Sequence, residues 1–216
     1  FGVLSGFFTA RAGIPSFMVT LAVMQICEGI TIYTSKGRPY FEIPEVLRWL
    51  GGARIGPVPV IVLTAAGVLL LGHLVLTYTR FGRYVYLVGG NRQAAELAGV
   101  RVRGVVLAAL TVGGATAGFA GLVLAGRLDS AQPGLASDML LNGIAAVVLG
   151  GTSLFGGEGG IRHTVIGLLI LGVLSNGLDL IPDLNVYLKT GIQGVILLGA
   201  LVINVLALRL GATRRR

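Results

Sequence analysis

The chain has 216 residues, 54% of them hydrophobic and 12% charged, and its mean hydropathy of +0.86 is far above that of a water-soluble domain. Its formal charge of +8 comes from basic residues scattered between apolar stretches, with no basic face interleaved with aromatics, which argues against nucleic acid as a partner. Two histidines, one cysteine and no HExxH or CxxC spacing leave metal chemistry unsupported.

The first ten residues, FGVLSGFFTA, carry neither a starting Met nor a basic leader and read as the end of an earlier helix, so the chain is expected to be N-terminally truncated. Residues 12–34 form the first predicted crossing. Cys27 within it reads as a small buried hydrophobe. Glu28 is the one acid inside an apolar span, where a charge costs roughly 3 kcal/mol or more. It either faces a cavity or partner, or snorkels to the interface. Residues 35–56 hold Lys36, Arg38, Arg48 and Arg54 against Glu42 and Glu45, and 40–50 read either as an amphipathic surface helix with Trp49 near the interface or as a plain loop.

Residues 57–79 contain no Asp, Glu, Lys or Arg and are long enough to cross a hydrocarbon core of roughly 30 Å. Their His73 has no acid or cysteine near it in sequence. Residues 80–103 carry Arg80, Arg83, Arg92, Arg101 and Arg103 against Glu96 alone. Inside this segment Asn91 is a good N-cap, 92–98 are mostly helix formers, and Gly99 suits the left-handed position that ends a helix. Two turns of helix result. Ala94, Ala95 and Ala98 would give a small-residue face for a soluble partner, beside polar Arg92, Gln93 and Glu96. A solvated turn whose arginines only fix topology is the alternative.

Residues 104–126 form the next span, with Gly113, Ala117 and Gly121 at i, i+4 spacing and Gly114 and Gly118 beside them, a small-xxx-small face for packing within the subunit or between subunits. The seventeen residues 139–155 are marginal for a full crossing but are the one candidate for the crossing that parity needs, and are expected to cross as a broken helix or to be re-entrant. GGTSLFGGEGG at 150–160 follows a membrane segment rather than a strand and lacks a lysine, so it is not a phosphate cradle. Its glycines permit close helix approach or a helix break, and Thr152 and Ser153 can satisfy freed backbone groups. Asn142 and Asn176, inside apolar segments, suit either a polar solute or bonds between helices. Residues 161–178 and 190–208 complete the predicted spans.

The arginine-rich segment 80–103 and the terminal Arg209, Arg214, Arg215 and Arg216 are both cytoplasmic by the positive-inside rule. Parity then requires about six crossings in an all-α polytopic bundle forming one membrane domain over 1–216. Segments 35–56, 127–138 (Asp129, Asp138) and 179–189 (Asp179, Asp183) fall outside, and Arg162 and His163 at the inner surface. The basic loop 35–56 strains the rule.

GGNRQAAELAGVRV at 89–102, IAAVVLGGTSLFGGEGG at 144–160 and GLLILGVLSNGLDLI at 167–181 together resemble the permease subunits of bacterial ATP-binding cassette importers for ribose, xylose and related simple sugars. The resemblance runs over nearly the whole chain. It implies an inner-membrane permease, in homodimeric form, served by a periplasmic or extracellular sugar-binding protein and driven by a cytoplasmic ATPase that docks on Asn91, Arg92, Ala94, Ala95, Glu96, Ala98 and Gly99. Glu28, Asn142, Thr152, Ser153 and Asn176 become translocation-path candidates. The chain would bind no cofactor and hydrolyse no ATP, since neither Lys36 nor Lys189 sits in a P-loop context. Glu28 and LLNG at 140–143 depart from the usual sugar-permease pattern, leaving the solute open to an amino acid or nucleoside. Without the resemblance, an ion-coupled secondary transporter is the alternative, for which paired intramembrane acids are expected. A membrane enzyme needs an acid–base or metal constellation that Glu28 alone does not supply.

Overall fold

The computed structural model describes residues 1–153, 156–181, 188, 191–192, 194–196 and 198–199. Most of the predicted span 190–208, together with Asp183, Lys189 and the four terminal arginines, lies outside the described residues. The chain is a polytopic α-helical membrane protein. Among the described residues four helices are long and apolar enough to cross a bilayer, against six expected crossings. Two compact units divide it, Phe1–Ser137 and Asp138–Arg216.

In the first unit, α1 (Gly2–Ala12) ends at Gly13 with φ +69°, and Pro15 opens α2 (Ser16–Ser35). The short helix α3 (Glu45–Gly52) starts after Pro44. It realises the amphipathic option for 40–50, beginning five residues later because Pro44 occupies the capping position. A hairpin of β1 (Arg54–Ile55) and β2 (Val58–Pro59), absent from the sequence reading, turns at Gly56 with φ +60°. Glycine there fits a two-residue hairpin turn. The first unit continues through α4 (Val60–Tyr78), α5 (Arg80–Gly90), α6 (Arg92–Leu97) and α7 (Val102–Leu128).

Helix α7 is the centre of this unit, with α1, α3 and α5 packed along it. Glycines set the approach. A Cβ on Gly114 would lie 2.6 Å from the Gly2 Cα, and one on Gly2 would lie 2.7 Å from the Leu110 carbonyl oxygen. At the other end a Cβ on Gly126 would overlap the Leu47 carbonyl, and one on Gly51 would overlap the Arg127 nitrogen. The predicted stripe Gly113, Ala117 and Gly121 is exposed instead, with no atom among the described residues within 4 Å of a Cβ at either glycine. Close packing inside the unit therefore runs through Gly114 and Gly126.

The end of α7 that carries Asp129 also meets the segment 35–56. Tyr40 and Ala131 exchange two backbone hydrogen bonds of 2.8 Å, and the Arg48 guanidinium pairs with the Asp129 carboxylate. These contacts put 35–56 and 127–138 at one end of α7, as parity required, and they give part of the loop's basic charge an acidic partner. Helix α5 packs on α4, α6 and α7, and α6 packs on α5 and α7.

The second unit contains α8 (Ser137–Leu149) from its second residue on, and α9 (Ile161–Asp179). Helix α8 has thirteen residues, about 20 Å of helix, so the predicted segment 139–155 is not a continuous spanning helix. It stops because Gly151, at φ +95°, takes the left-handed position. The Gly151 N–H donates to the Val148 carbonyl (2.9 Å) and the Thr152 N–H to the Val147 carbonyl (3.1 Å), the paired bonds of a Schellman end. The chain then returns along α8: a Cβ on Gly167 would overlap the Ala146 carbonyl, and one on Gly150 the His163 carbonyl.

Candidate functional site

The corner between α4 and α5 is built by Thr79, whose hydroxyl donates to the Val75 carbonyl (2.6 Å) and accepts from the Gly82 N–H (3.2 Å). Gly82 is pressed against the Leu76 backbone, with no room for a side chain. Helix α5 was not foreseen within 80–103, which the sequence reading treated as a topology signal around one short helix. Its Phe81, Val85 and Tyr86 turn inward, while Arg80, Arg83 and Leu87 stay exposed. This is the pattern of a helix lying in the membrane interface.

Helix α6 has the caps expected of it. Asn91 Oδ1 accepts from the Ala94 N–H at 3.0 Å. At the other end Gly99, with φ +79°, donates to the Glu96 carbonyl and Val100 to the Ala95 carbonyl, both at 3.0 Å. Such local closure holds a six-residue helix that would be unstable alone. Arg92 and Glu96 lie 3.8 Å apart and are half exposed, a pair worth about 0.5 kcal/mol or less.

The orientation of α6 changes the predicted face. Ala95 is 2% exposed and forms the seat of the helix, so it is not available to a partner. Ala94 and Ala98 remain outside. Beside them Leu97, 90% exposed, is the most solvent-directed large apolar side chain among the described residues. Its signal in the sequence is that it is the one large apolar side chain between Arg92 and Gly99.

On α2 the polar residues gather on one side. Thr20, Cys27, Thr31 and Ser35 follow at steps of seven, four and four, with Glu28 next to Cys27 and three before Thr31, and all but Thr31 are half-buried, while Gln25 is exposed off this side. The opposite side, Ala22, Ile26, Gly29 and Tyr33, is exposed and largely apolar, as contact with lipid requires. The Thr31 hydroxyl donates to the Cys27 carbonyl (2.7 Å) and Thr20 to Phe17 (3.0 Å), leaving their oxygens free to accept. Glu28 makes no ion pair among the described residues. It stands about 10 Å from the C-terminal end of α2.

In the second unit, Thr152 is used by the α8 terminus. Its side chain packs against Gly159 and its hydroxyl is buried without a hydrogen bond among the described residues. The Ser153 N–H donates to the Glu158 carbonyl (3.0 Å), closing the glycine turn; Leu154 and Phe155 lie outside the described residues. Asn142 and Asn176 are both exposed. With Ala146 level with Gly167, they are staggered by about 8 Å along the α8–α9 hairpin. They do not form one polar layer.

Residues 1–201 match the family described as the permease component of branched-chain amino acid transport systems. The chain belongs to that permease family. Its relatives include the ribose import permease protein RbsC of Escherichia coli strain K12, 39% identical over 207 residues, 94% of this chain and 64% of the relative. RbsC of Bacillus subtilis strain 168 is 37% identical over 204 residues, 93% of this chain and 62% of the relative. The L-arabinose transport system permease protein AraH of E. coli K12 is 35% identical over 201 residues, 93% and 61% respectively. The chain thus spans a little under two thirds of the length of these relatives. No solved structure matches it significantly.

Proposed function

We propose that this permease domain forms the translocation path of an ATP-driven monosaccharide importer and is moved by a separate ATPase that grips α6. The observation that carries the reading is a short helix, capped at both ends and seated by Ala95, that presents Ala94, Leu97 and Ala98 outward. A capped helix with an exposed leucine is a rigid knob that suits a cleft on a soluble protein. The names of the relatives support a sugar such as ribose or arabinose.

In this reading 80–103 and the C-terminus face the cytoplasm of a bacterial inner membrane. Chemistry is left to the partner: this chain hydrolyses no ATP and holds no cofactor. A sugar-binding protein outside delivers the solute to a permease dimer. The polar side of α2 around Glu28 lines the path. Hydroxyls and one carboxylate accept hydrogen bonds from sugar hydroxyls, and a weakly polar wall is enough where the binding protein sets specificity.

The family description also favours a branched-chain amino acid as solute. Both are tested by reconstituting the full-length permease with its ATPase and binding protein in proteoliposomes and measuring ATP-dependent uptake of labelled ribose, arabinose and leucine. Sugar uptake that needs ATP and both partners supports the proposal. Leucine uptake alone moves the solute to the amino-acid class, and uptake without ATPase overturns the importer.

A further inference from the structure

The structure also carries a cavity that the transport reading does not use. It is an open groove between α5 and the start of α7, has a volume of about 370 Å³, and is lined by Phe81, Tyr84, Val100, Arg101, Val105 and Ala108. That volume is within the range of sites for small ligands. The walls are aromatic or aliphatic, and Arg101 and Tyr84 are the lining residues with polar side-chain groups.

Depth decides what can enter. Helix α7 has 27 residues, about 40 Å, which is the thickness of a bilayer with its headgroups. Its first turn therefore stands at headgroup level. Ala108 is seven residues beyond Arg101, about 10 Å deeper, where acyl chains begin. A ligand that touches both ends must be charged at one end and apolar at the other.

Charge decides its sign. The segment 80–103 holds five arginines against Glu96, and Glu96 faces Arg92. Arg101 has no acidic partner among the described residues. Arg80 and Arg83 are exposed on the neighbouring α5. Basic pockets between membrane helices bind anionic lipid headgroups.

We infer that this cavity is a binding site for one anionic phospholipid, its phosphate on Arg101 and an acyl chain against Phe81, Val105 and Ala108. The site borders Gly99, so an occupied lipid would brace the end of α6. The inference stands on membrane depth and charge and not on the identity of the transported solute.

The test is native mass spectrometry of the detergent-purified full-length permease, titrated with phosphatidylglycerol, with phosphatidylcholine of the same chains, and with inorganic phosphate. Wild type is expected to retain phosphatidylglycerol about fivefold over phosphatidylcholine, the worth of about one arginine at an anionic surface. Arg101→Gln should abolish that preference while Arg103→Gln, which removes the same charge outside the cavity lining, keeps it. Ala108→Phe should fill the cavity and lower retention of both lipids. Equal retention of the two lipids, equal losses in R101Q and R103Q, or phosphate retained as well as lipid would each overturn the site. If A108F is misfolded by size exclusion, the comparison of R101Q with R103Q still decides.

Discussion

Gly126→Ala offers a strong test of how the first unit is held together. The added methyl would overlap the Leu47 carbonyl oxygen, and the obstructing atoms on both sides are helix backbone, so no side-chain rotation relieves the clash. Helix α3 must move away from α7 by more than about 1 Å to reach ordinary contact, which also disturbs the Gly51 contact on the Arg127 backbone. Overpacking of this kind costs about 1–3 kcal/mol, and two backbones in contact put it near the upper end. At about 2–4 °C per kcal/mol for a chain of this size, Tm should fall by about 6–12 °C. Arg48→Ala, which removes only a half-exposed ion pair, should cost less than about 1 kcal/mol. Trp49 on α3, the single tryptophan of this chain, reports the change by fluorescence during thermal unfolding in detergent. Gly121→Ala is the control: with open space around it, it should be neutral or gain up to about 1 kcal/mol of helix propensity. Equal Tm values for G126A and G121A would refute the packing described.

Asn91→Ala removes the α6 N-cap bond and should cost about 1 kcal/mol of local stability, seen as faster amide exchange over 94–98, while Asn91→Asp keeps it. Gly99→Ala places a Cβ at φ +79°, costing about 1–2 kcal/mol, and should lower permease-dependent ATPase stimulation without loss of membrane insertion. If the polar side of α2 lines the path, Thr31→Trp stops uptake and Ile26→Trp on the opposite side does not; equal effects would remove α2 from the path. Gly167→Leu should separate α8 from α9 and reduce the monodisperse yield, whereas Gly172→Leu, with open space at its Cα, should not.

Features fixed by local chemistry were legible in the sequence. Asn91 and Gly99 bound α6 because a side-chain cap and a left-handed glycine act within four residues, and uncharged runs such as 57–79 mark helices whatever surrounds them. Partner choice was not legible. Ala94, Ala95 and Ala98 are alike in type, and only the packing of α6 on α5 and α7 turns Ala95 inward and leaves Leu97 out. The same holds for the glycines of α7, where α1 and α3 select Gly114 and Gly126 over the regular stripe at 113, 117 and 121. Helix α5 was hidden because its arginines read as topology markers, although its apolar residues recur at helical spacing. A break near the glycines of 150–160 was legible, but its position was not: LGGTSLF is apolar enough to extend a span, and Gly151 closes α8 through backbone bonds that hydropathy does not register.

The central claim, that α6 is the handle of a separate motor, is tested most directly on its outward face. Full-length permease carrying Ala94→Arg and Ala98→Arg, or Leu97→Arg, is co-expressed with the ATPase and compared with wild type for co-purification and ATP-driven uptake. The account predicts that both are lost while the permease still inserts and keeps its Tm. Unchanged complex formation and uptake in these variants would contradict it.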